Sequence, residues 1–517
     1  MRRKIAVIDS ETNPFKFGRI PEPFIWGYYD GDIYLTFENT IDLASYLYDK
    51  KIIVYAHNGG KFDYHFLLPH LNKREKIMVI SNRLAKWKLG KCELRDSYNI
   101  LPVPLRVINK DEFDYTKMER AVRHLHMDEI KAYLRNDCVY LYDALIKYID
   151  DYGLHLTQAG ASFRVWQDRF DGEVPRTSRG FYNDYKKYYF GGRVSCFESG
   201  TFKGDYKFID INSAYPHAMK SPHPWGKECR ASKTWPKDSV IHRCFLTITC
   251  YSAGALPIRR PNGSLDFPHE FNTYHITGHE FMTALATDTI KNPKLERCVM
   301  FYEEITFKDY VDYFYELKKQ ADKEGDKASR LFAKLFMNSL YGKFASNPDN
   351  YKEYIIDDFD SELPESYEYD AVIGDKQLFS RPLPDKIQRW YNIATAASIT
   401  GAVRAFLWQS INEVEKPLYC DTDSIICKNT GSLSMGKDLG EWDTEAELTQ
   451  VAIAGKKLYS CRTKTGEWKT ASKGANLTPQ EIIKVAQGKE ITYNSEAPTF
   501  SLKNKTKFLT RKIRNTA

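Results

Sequence analysis

The sequence predicts an α+β protein of several domains. Its 517 residues exceed what one hydrophobic core usually serves, and a prior of roughly 100–200 residues per domain gives about three to five units. About the first 165 residues alternate short apolar strands with helices, as an α/β unit does. The rest sets an irregular β-rich stretch and a strand–turn–strand beside long helical runs. Hydrophobic residues at 42% and charged ones at 28% give the balance of a folded chain rather than a disordered one.

In order along the chain, Lys4–Ile8 is an apolar run ending at Asp9, and Ile52–Tyr55 a second one ending at His57-Asn58-Gly59-Gly60. Asp128–Ile149 carries Ile130, Tyr133, Leu134, Leu141 and Leu145 at helical spacing. Phe170–Arg179, with Gly, Pro and Ser, reads as a linker. Tyr206–Ile209 is a strand leading into Asp210, and residues 221–290, rich in Pro, Gly and Thr, form an irregular β insert. A helical stretch over 308–344 breaks near Gly325, 347–390 is acidic and turn-rich, 391–412 is helical again, and Leu418–Cys427 is strand–turn–strand. No repeat interrupts this order.

Several classes fall away. No run of 18 apolar residues exists, so no transmembrane helix is expected. Asp9 and Glu11 break the apolar start too early for a signal peptide. The ten cysteines lie scattered from Cys92 to Cys461 without a CxxC pair, which predicts free thiols in a reducing cytoplasm. A net charge of +7 is too small to identify a nucleic-acid binder, although 35 Tyr and 29 Phe could stack on unpaired bases as well as fill a core. The tail 501–517 holds Lys503, Lys505, Lys507, Arg511, Lys512 and Arg514 with no acid, and reads equally as a frayed, solvated end or a phosphate-binding strip.

Three constellations carry chemistry. Tyr419-Cys420-Asp421-Thr422-Asp423-Ser424 puts two carboxylates at a hairpin tip, aimed the same way if strand geometry continues. Two such charges call for a divalent cation with oxygen ligands, and an ordinary β-turn is the plainer reading. Asp210 ends a strand just before Pro216, in the first turn of a helix, where metal and phosphate can meet; an N-cap role is the plainer reading. Arg330, Lys334, Asn338 and Tyr341 share one helix face, which suits a nucleotide, or else is a solvated face.

Asp210–Pro216 (DINSAYP), Lys334–Gly342 (KLFMNSLYG) and Tyr419–Ser424 (YCDTDS) resemble, in that order, the A, B and C motifs of family B DNA polymerases. Asp9-Ser10-Glu11-Thr12, Asn58–Asp63 (NGGKFD) and Tyr133–Asp137 (YLRND) resemble the three motifs of a proofreading 3′–5′ exonuclease; a lone DxE means little, but the order and spacing of all three are specific. Tyr189-Phe190-Gly191-Gly192-Arg193 resembles the YxGG motif of the protein-primed subfamily, and Lys457-Leu458-Tyr459 a KxY motif. From residue 4 to that point the chain is similar to the polymerases of tectiviruses and, more distantly, of small podoviruses. It departs in having three residues between Asn58 and Phe62 where many relatives have two, and Ala214 where Leu is usual.

The resemblance implies a ribonuclease-H-like α/β exonuclease domain over 1–165 and a linker with the YxGG motif over 166–200. A right-hand polymerase follows, with an antiparallel palm sheet, helical fingers and a small thumb: palm with motif A (201–217), terminal-protein region 1 (218–310), fingers with motif B (311–346), terminal-protein region 2 (347–390), palm with motif C (391–445), and palm end and thumb with the basic tail (446–517). Asp210 and Asp423 would hold two Mg²⁺ ions (or Mn²⁺), with Asp421 supporting and Ile211 contributing to both the metal and the nucleotide site. Tyr215, Lys334, Asn338, Tyr341, Arg330 and Lys318 would bind the nucleotide, and Tyr189, Gly191, Gly192, Arg193, Lys457 and Tyr459 the DNA. A second pair of ions would sit among Asp9, Glu11, Asp63 and Asp137, with Tyr133 orienting water, Lys110 offsetting charge, and Thr12, His57, Asn58, Phe62, Ser97 and Tyr115 holding the single strand; a purely structural role for His57 is equally open. In the acidic run Asp357–Glu368 the acids are expected to face solvent or a basic partner, leaving DNA to Lys352 and Lys376–Arg389. The implied function is replication of a linear viral genome from a terminal-protein primer, with proofreading and processive strand displacement. The implied partners are primer–template DNA, deoxynucleoside triphosphates and the terminal protein, met as a monomer or one-to-one complex in the cytoplasm of an infected bacterium, with no membrane. The alternative is a family B polymerase of a plasmid or mobile element that starts without a protein primer.

Overall fold

The computed structural model describes residues 3–71, 74–358, 362, 365–373, 376–502 and 506–516. Ile5–Thr12 lies at the heart of the N-terminal unit, paired parallel to Ile53–Ala56 and antiparallel to Pro23–Tyr29. Its apolar run is continuous because both faces are covered: Ile5 and Val7 enter one core, Ala6 and Ile8 another. The helix Met127–Tyr152 packs Ile130, Leu134, Cys138, Leu141 and Leu145 onto this sheet. It comes so close that a Cβ on Gly27 would lie 2.9 Å from Leu134 Cγ. The expected α/β unit is therefore present.

Its sheet does not stop at residue 165. Lys352–Asp358 pairs antiparallel with Glu75–Ile80 and brings Lys376–Pro382 and Glu368–Ile373 with it, making ten strands in one sheet. The segment expected to be turn-rich thus adds three strands to a sheet begun some 340 residues earlier. Among the described acids of the run Asp357–Glu368, Asp358, Glu362, Glu365 and Glu368 are exposed as expected, whereas the basic flank differs from expectation. Asp357 is buried and paired with Arg74, Lys376 is paired with Asp358 at 2.6 Å, and Arg381 with Glu353 at 2.6 Å. Lys376 and Arg381 are thus engaged in ion pairs within the protein, while Asp358 stays open to solvent. Five residues of that run (359–361, 363 and 364), with Lys503 and Lys505, lie outside the described residues.

A second sheet of seven antiparallel strands runs Trp468–Ser472, Leu458–Thr463, Trp442–Gly455, Gly200–Ile211, Ser424–Asn429, Glu415–Asp421, Val194–Cys196. Behind it lies the helix Ile393–Glu413, sixteen of whose 21 residues are buried, which is why its sequence is apolar all round. Residues 223–305 are more regular than expected: a four-stranded antiparallel sheet with the helix Gly278–Ala286. The break near Gly325 is real. The helix Lys308–Glu324 ends on Gly325 at φ 72°, and Asp326 caps the next, Lys327–Phe344. The tail is not frayed, since Thr510–Ile513 pairs with Ile491–Asn494 and Lys512 meets Glu490 at 3.3 Å.

All ten cysteines are free thiols. Among the described residues no helix is long and apolar enough to cross a membrane.

Candidate functional site

Two acidic clusters lie on different sheets. In the seven-stranded sheet, Asp421 stands opposite Ser424, and Ser424 opposite Asp210, so adjacent strands deliver both carboxylates to one edge. The strand ends at Asp421 rather than continuing. Thr422 turns at φ 61°, the Asp423 N–H donates to Asp421 O at 2.6 Å, and the Ile211 N–H donates to Asp423 O at 2.8 Å. The turn, not strand alternation, brings Asp423 beside Asp210. Asp210 is no N-cap, because Ser213 occupies that position at φ 60°. Burial, Asp423 and Glu445 push the Asp210 carboxyl up to about 7, and burial and Asp421 raise that of Asp423. Lys334 pulls against both. Lys457 reaches Asp421 at 3.3 Å. Ile211 is buried, so only its backbone can contribute to this edge.

The expected nucleotide face comes together around this edge. Tyr215 and Tyr341 stack with centroids 4.5 Å apart and planes 3° apart. Burial, Arg330 and Lys334 all weaken the charge of Lys318, so three cations share one locality. Arg330 also pairs with Asp322 at 2.5 Å, and Asn338 Nδ2 donates to Lys334 O at 2.8 Å. Tyr459 packs on Tyr419, whose hydroxyl accepts the Lys457 N–H at 3.0 Å.

The turn 189–193 lies against the same edge. A Cβ on Gly192 would fall 2.7 Å from the Thr422 side chain, so glycine is required for the approach, and Thr422 N–H donates to Arg193 O at 2.6 Å. Arg193 itself departs from expectation. It is 3% exposed, donates to Gly254 O at 2.6 Å and lies over Trp408 and Phe267, and burial pushes its guanidinium down to about 10. Its side chain is a packing element, closed to a DNA phosphate. Tyr189 is half-buried among core residues, and Gly191 is exposed.

At the ten-stranded sheet, Asp9 and Glu11 of the strand Ile5–Thr12 and Asp137 of the helix Met127–Tyr152 bring carboxylate oxygens within 4.8 Å of one another. Asp63 is alongside and accepts from Ser10 Oγ at 2.5 Å. Burial and the mutual repulsion of these groups hold Asp9 well above the usual carboxylate range and push Glu11 to about 8; burial carries Asp63 to about 7. Lys110 meets Asp137 at 3.2 Å; although burial works against its charge, Asp137, Tyr115 and Asp9 keep it firmly protonated. Asp137 Oδ1 is buried with no hydrogen-bond partner among the described residues. An orphaned carboxylate oxygen beside two more acids is the donor set a hard divalent cation takes, so these residues fit such an ion.

Around this cluster Tyr115 and Tyr133 share a hydroxyl contact of 2.8 Å, with Tyr115 exposed. Phe62 joins Phe15, Phe66 and Phe500 in an aromatic group. Asn58 adopts φ 63°, and its Oδ1 accepts from Arg83 at 2.6 Å. Thr12 is nearly buried and donates to Asn13 O at 3.1 Å. Ser97 differs from expectation, and of the two roles open to His57 its contacts favour the structural one. His57 Nδ1 meets Ser97 Oγ at 3.0 Å and Nε2 meets Val103 O at 2.8 Å, while burial pushes the ring down to about 4. Ser97 is fully buried. This is a satisfied, neutral structural pair with nothing left for a strand.

Sequence reasoning missed Arg404, Glu280, Arg83 and Phe500. For Arg404 a signal existed, a single cation in the middle of an otherwise apolar helix. The others become visible only through contacts made across the fold.

Residues 107–434 match the family described as DNA polymerase type B, organellar and viral. The chain is 36% identical to the DNA-directed DNA polymerase of Enterobacteria phage PRD1 over 99% of its own length and 98% of that protein. To the DNA polymerase of Bacillus phage phi29 it is 24% identical over 89% of its length and 86% of that protein. The solved phi29 polymerase superposes over the full length of both chains with a TM-score of 0.75 at 19% identity, a likeness of fold. A match over more than half the chain, joined to a full-length relative at this identity, places the protein in the protein-primed branch of the family B DNA polymerases, as a DNA-directed DNA polymerase.

Proposed function

We propose that the protein replicates a linear viral genome from a terminal-protein primer in the cytoplasm of an infected bacterium, and proofreads with its own 3′–5′ exonuclease. The observation that carries this reading is the pair of acidic clusters on separate sheets, one beside three cations and two stacked tyrosines, the other beside Lys110 and Tyr133. We assign the first to polymerisation and the second to exonuclease, and with them the right-hand and ribonuclease-H-like architectures and their domain boundaries. Solved structures of the phi29 enzyme are described with single-stranded DNA, with primer–template DNA and with incoming nucleotides, and this chain's partners are proposed to be the same.

In the polymerase site Asp210 and Asp423 would hold two divalent ions, with Asp421 in support. When bound, these ions lower the charge of the triphosphate and favour ionisation of the primer hydroxyl. Lys334, Lys318 and Arg330 offset triphosphate charge, Tyr215 closes the space a ribose 2′-hydroxyl needs, and Tyr341 and Asn338 complete the pocket. Lys457 and Tyr459 steady the primer end. In the exonuclease site Asp9, Glu11, Asp63 and Asp137 would hold a further pair of ions. Tyr133 orients the attacking water, and Lys110 stabilises charge growing on the phosphate. Tyr115, Phe62 and Asn58 grip the unpaired strand.

The test is initiation without a nucleic-acid primer. Purified polymerase, a terminal protein and one labelled deoxynucleotide should yield a covalent protein–nucleotide adduct that Asp423→Asn abolishes. Synthesis from oligonucleotide primers with no adduct under any nucleotide would overturn protein priming and leave the polymerase.

A further inference from the structure

The helix Gly278–Ala286 and the buried helix Ile393–Glu413 are locked together by one ion pair. Glu280 Oε1 accepts from Arg404 Nε at 2.8 Å, and the two side chains are 3% and 2% exposed. The other oxygen, Glu280 Oε2, closes the capping box by accepting from Thr277 N at 3.0 Å and Thr277 Oγ1 at 2.9 Å. Both oxygens of the carboxylate are therefore committed, and the helix start and the guanidinium are fixed relative to one another. The helices touch here, since a Cβ on Gly401 would lie 2.4 Å from Thr277 Oγ1.

The far end of Arg404 grips neither helix. Its Nη1 donates to Phe190 O at 2.6 Å and to Gly191 O at 3.0 Å, two carbonyls of the turn 189–193. That turn in turn abuts Thr422 through Gly192 and accepts the Thr422 N–H on Arg193 O. A continuous run of polar contacts, buried at its Glu280–Arg404 end, thus leads from Glu280 through Arg404 and the glycine turn to the residue between Asp421 and Asp423. Stability alone is a poor reason for it, because apolar residues of similar volume commonly replace a buried ion pair without loss. Register is a better one: the pair fixes where two carbonyls sit, and these fix a left-handed threonine.

We infer that Glu280 is a positioning residue for polymerisation, which holds Arg404 so that the 189–193 turn sets the backbone of the Asp421–Asp423 turn. The inference rests on the assignment of those aspartates to the polymerase site. Residues that orient metal-binding or reacting groups from one shell away typically matter by 10–100-fold, and a small misplacement suffices.

The experiment compares the parent with Glu280→Gln and with the double variant Glu280→Leu/Arg404→Met, which keeps volume but removes the grip on the turn. Hydrogen exchange followed by mass spectrometry reads the peptide across 418–427 without metal or substrate, and steady-state extension of a primed template reads kcat and the nucleotide KM. The expected result is faster exchange at Thr422 and a kcat lowered roughly tenfold or more, with the nucleotide KM changed far less, in the double variant, and a smaller effect of the same sign in Glu280→Gln. Exchange is read on folded protein alone, because globally unfolded molecules separate in mass, so a partly unfolded preparation still reports. Parental exchange across 418–427 together with parental kcat in the double variant overturns the inference. Asp423→Asn run alongside separates the two readings: if it still polymerises, the carboxylate assignment fails, and if it is inactive while the Glu280 variants match the parent, only the positioning role fails.

Discussion

Asp210 is held between opposing influences, burial and Asp423 pushing its carboxyl up to about 7 while Lys334 and Lys469 draw it down. Asp63 at about 7 and Glu11 at about 8 stand in the same position on the other sheet. Folded pKa values above the unfolded ones mean that the stability these protonated groups permit is complete below about pH 4 and is lost as pH rises through about 7 to 8. A divalent ion that ligates the ionised carboxylates reverses that loss. The melting temperature in chelator should therefore fall between pH 5 and pH 8, and the gain on adding Mg²⁺ should be larger at pH 8 than at pH 6; a gain that shrinks with rising pH would count against ion binding by these groups. At the stacked pair, Tyr215→Val should open the space beside Tyr341 and raise ribonucleotide relative to deoxyribonucleotide incorporation, a ratio gel assays read directly, and an unchanged ratio would mean that Tyr215 does not face the sugar. The carboxylates were legible in the sequence because each lies in a short local pattern, at a strand end for Asp210 and Asp421, within a strand for Asp9 and Glu11, and on helices for Asp63 and Asp137. Arg193 and Ser97 were misread because burial is decided by partners far along the chain, namely Gly254 and Trp408 for Arg193 and His57 for Ser97, while for His57 the contacts to Ser97 and Val103 favour the structural role that its sequence left open.

Elements with a single periodicity were read correctly, among them Met127–Tyr152, the helix pair broken at Gly325 and the hairpin at 415–429. The strands between 352 and 382 were not. Their acidic, turn-rich composition hides the run Tyr354-Ile355-Ile356, buried because it docks on Glu75–Ile80 and between two core clusters. No local pattern announces a partner strand that distant. The buried position of Ile356, 1% exposed, makes the dock testable. Ile356→Ala should cost about 2–5 kcal/mol, seen as a lower denaturant midpoint and faster proteolysis within 347–390. A cost near zero would mean that the strands lie loosely on the sheet.

Across the whole molecule the two acidic clusters belong to separate sheets, so Asp9→Ala with Glu11→Ala should end single-strand degradation while primer extension persists; joint loss in a protein folded by circular dichroism would defeat that separation. The 347–390 segment runs between the two sheet-bearing units. It leaves the helix Lys327–Phe344, crosses to the N-terminal sheet, and returns to the helix Ile393–Glu413. Where it crosses lies a cavity of about 770 Å³ lined by Lys76, Ile77, Lys343, Tyr351, Lys352 and Leu383. A bridge of chain closed by strand pairing would hold a strand passing beneath it by topology, and would depend less on salt-sensitive phosphate contacts than an open groove does. Because Lys376 and Arg381 are engaged in ion pairs, the grip should come from closure and from Lys343 and Lys352 rather than from the basic flank at large. Replacing 350–388 with a short Gly/Ser linker should leave single-nucleotide addition, shorten products made under a DNA trap, and stop synthesis at a duplex ahead. Raising the salt should shorten the products of the trimmed enzyme more than those of the parent, since only the parent keeps the closed bridge. If the trimmed enzyme makes long products and opens duplex at the parental rate, the bridge encloses nothing, and processivity must come from contacts along the seven-stranded sheet and the C-terminal segment.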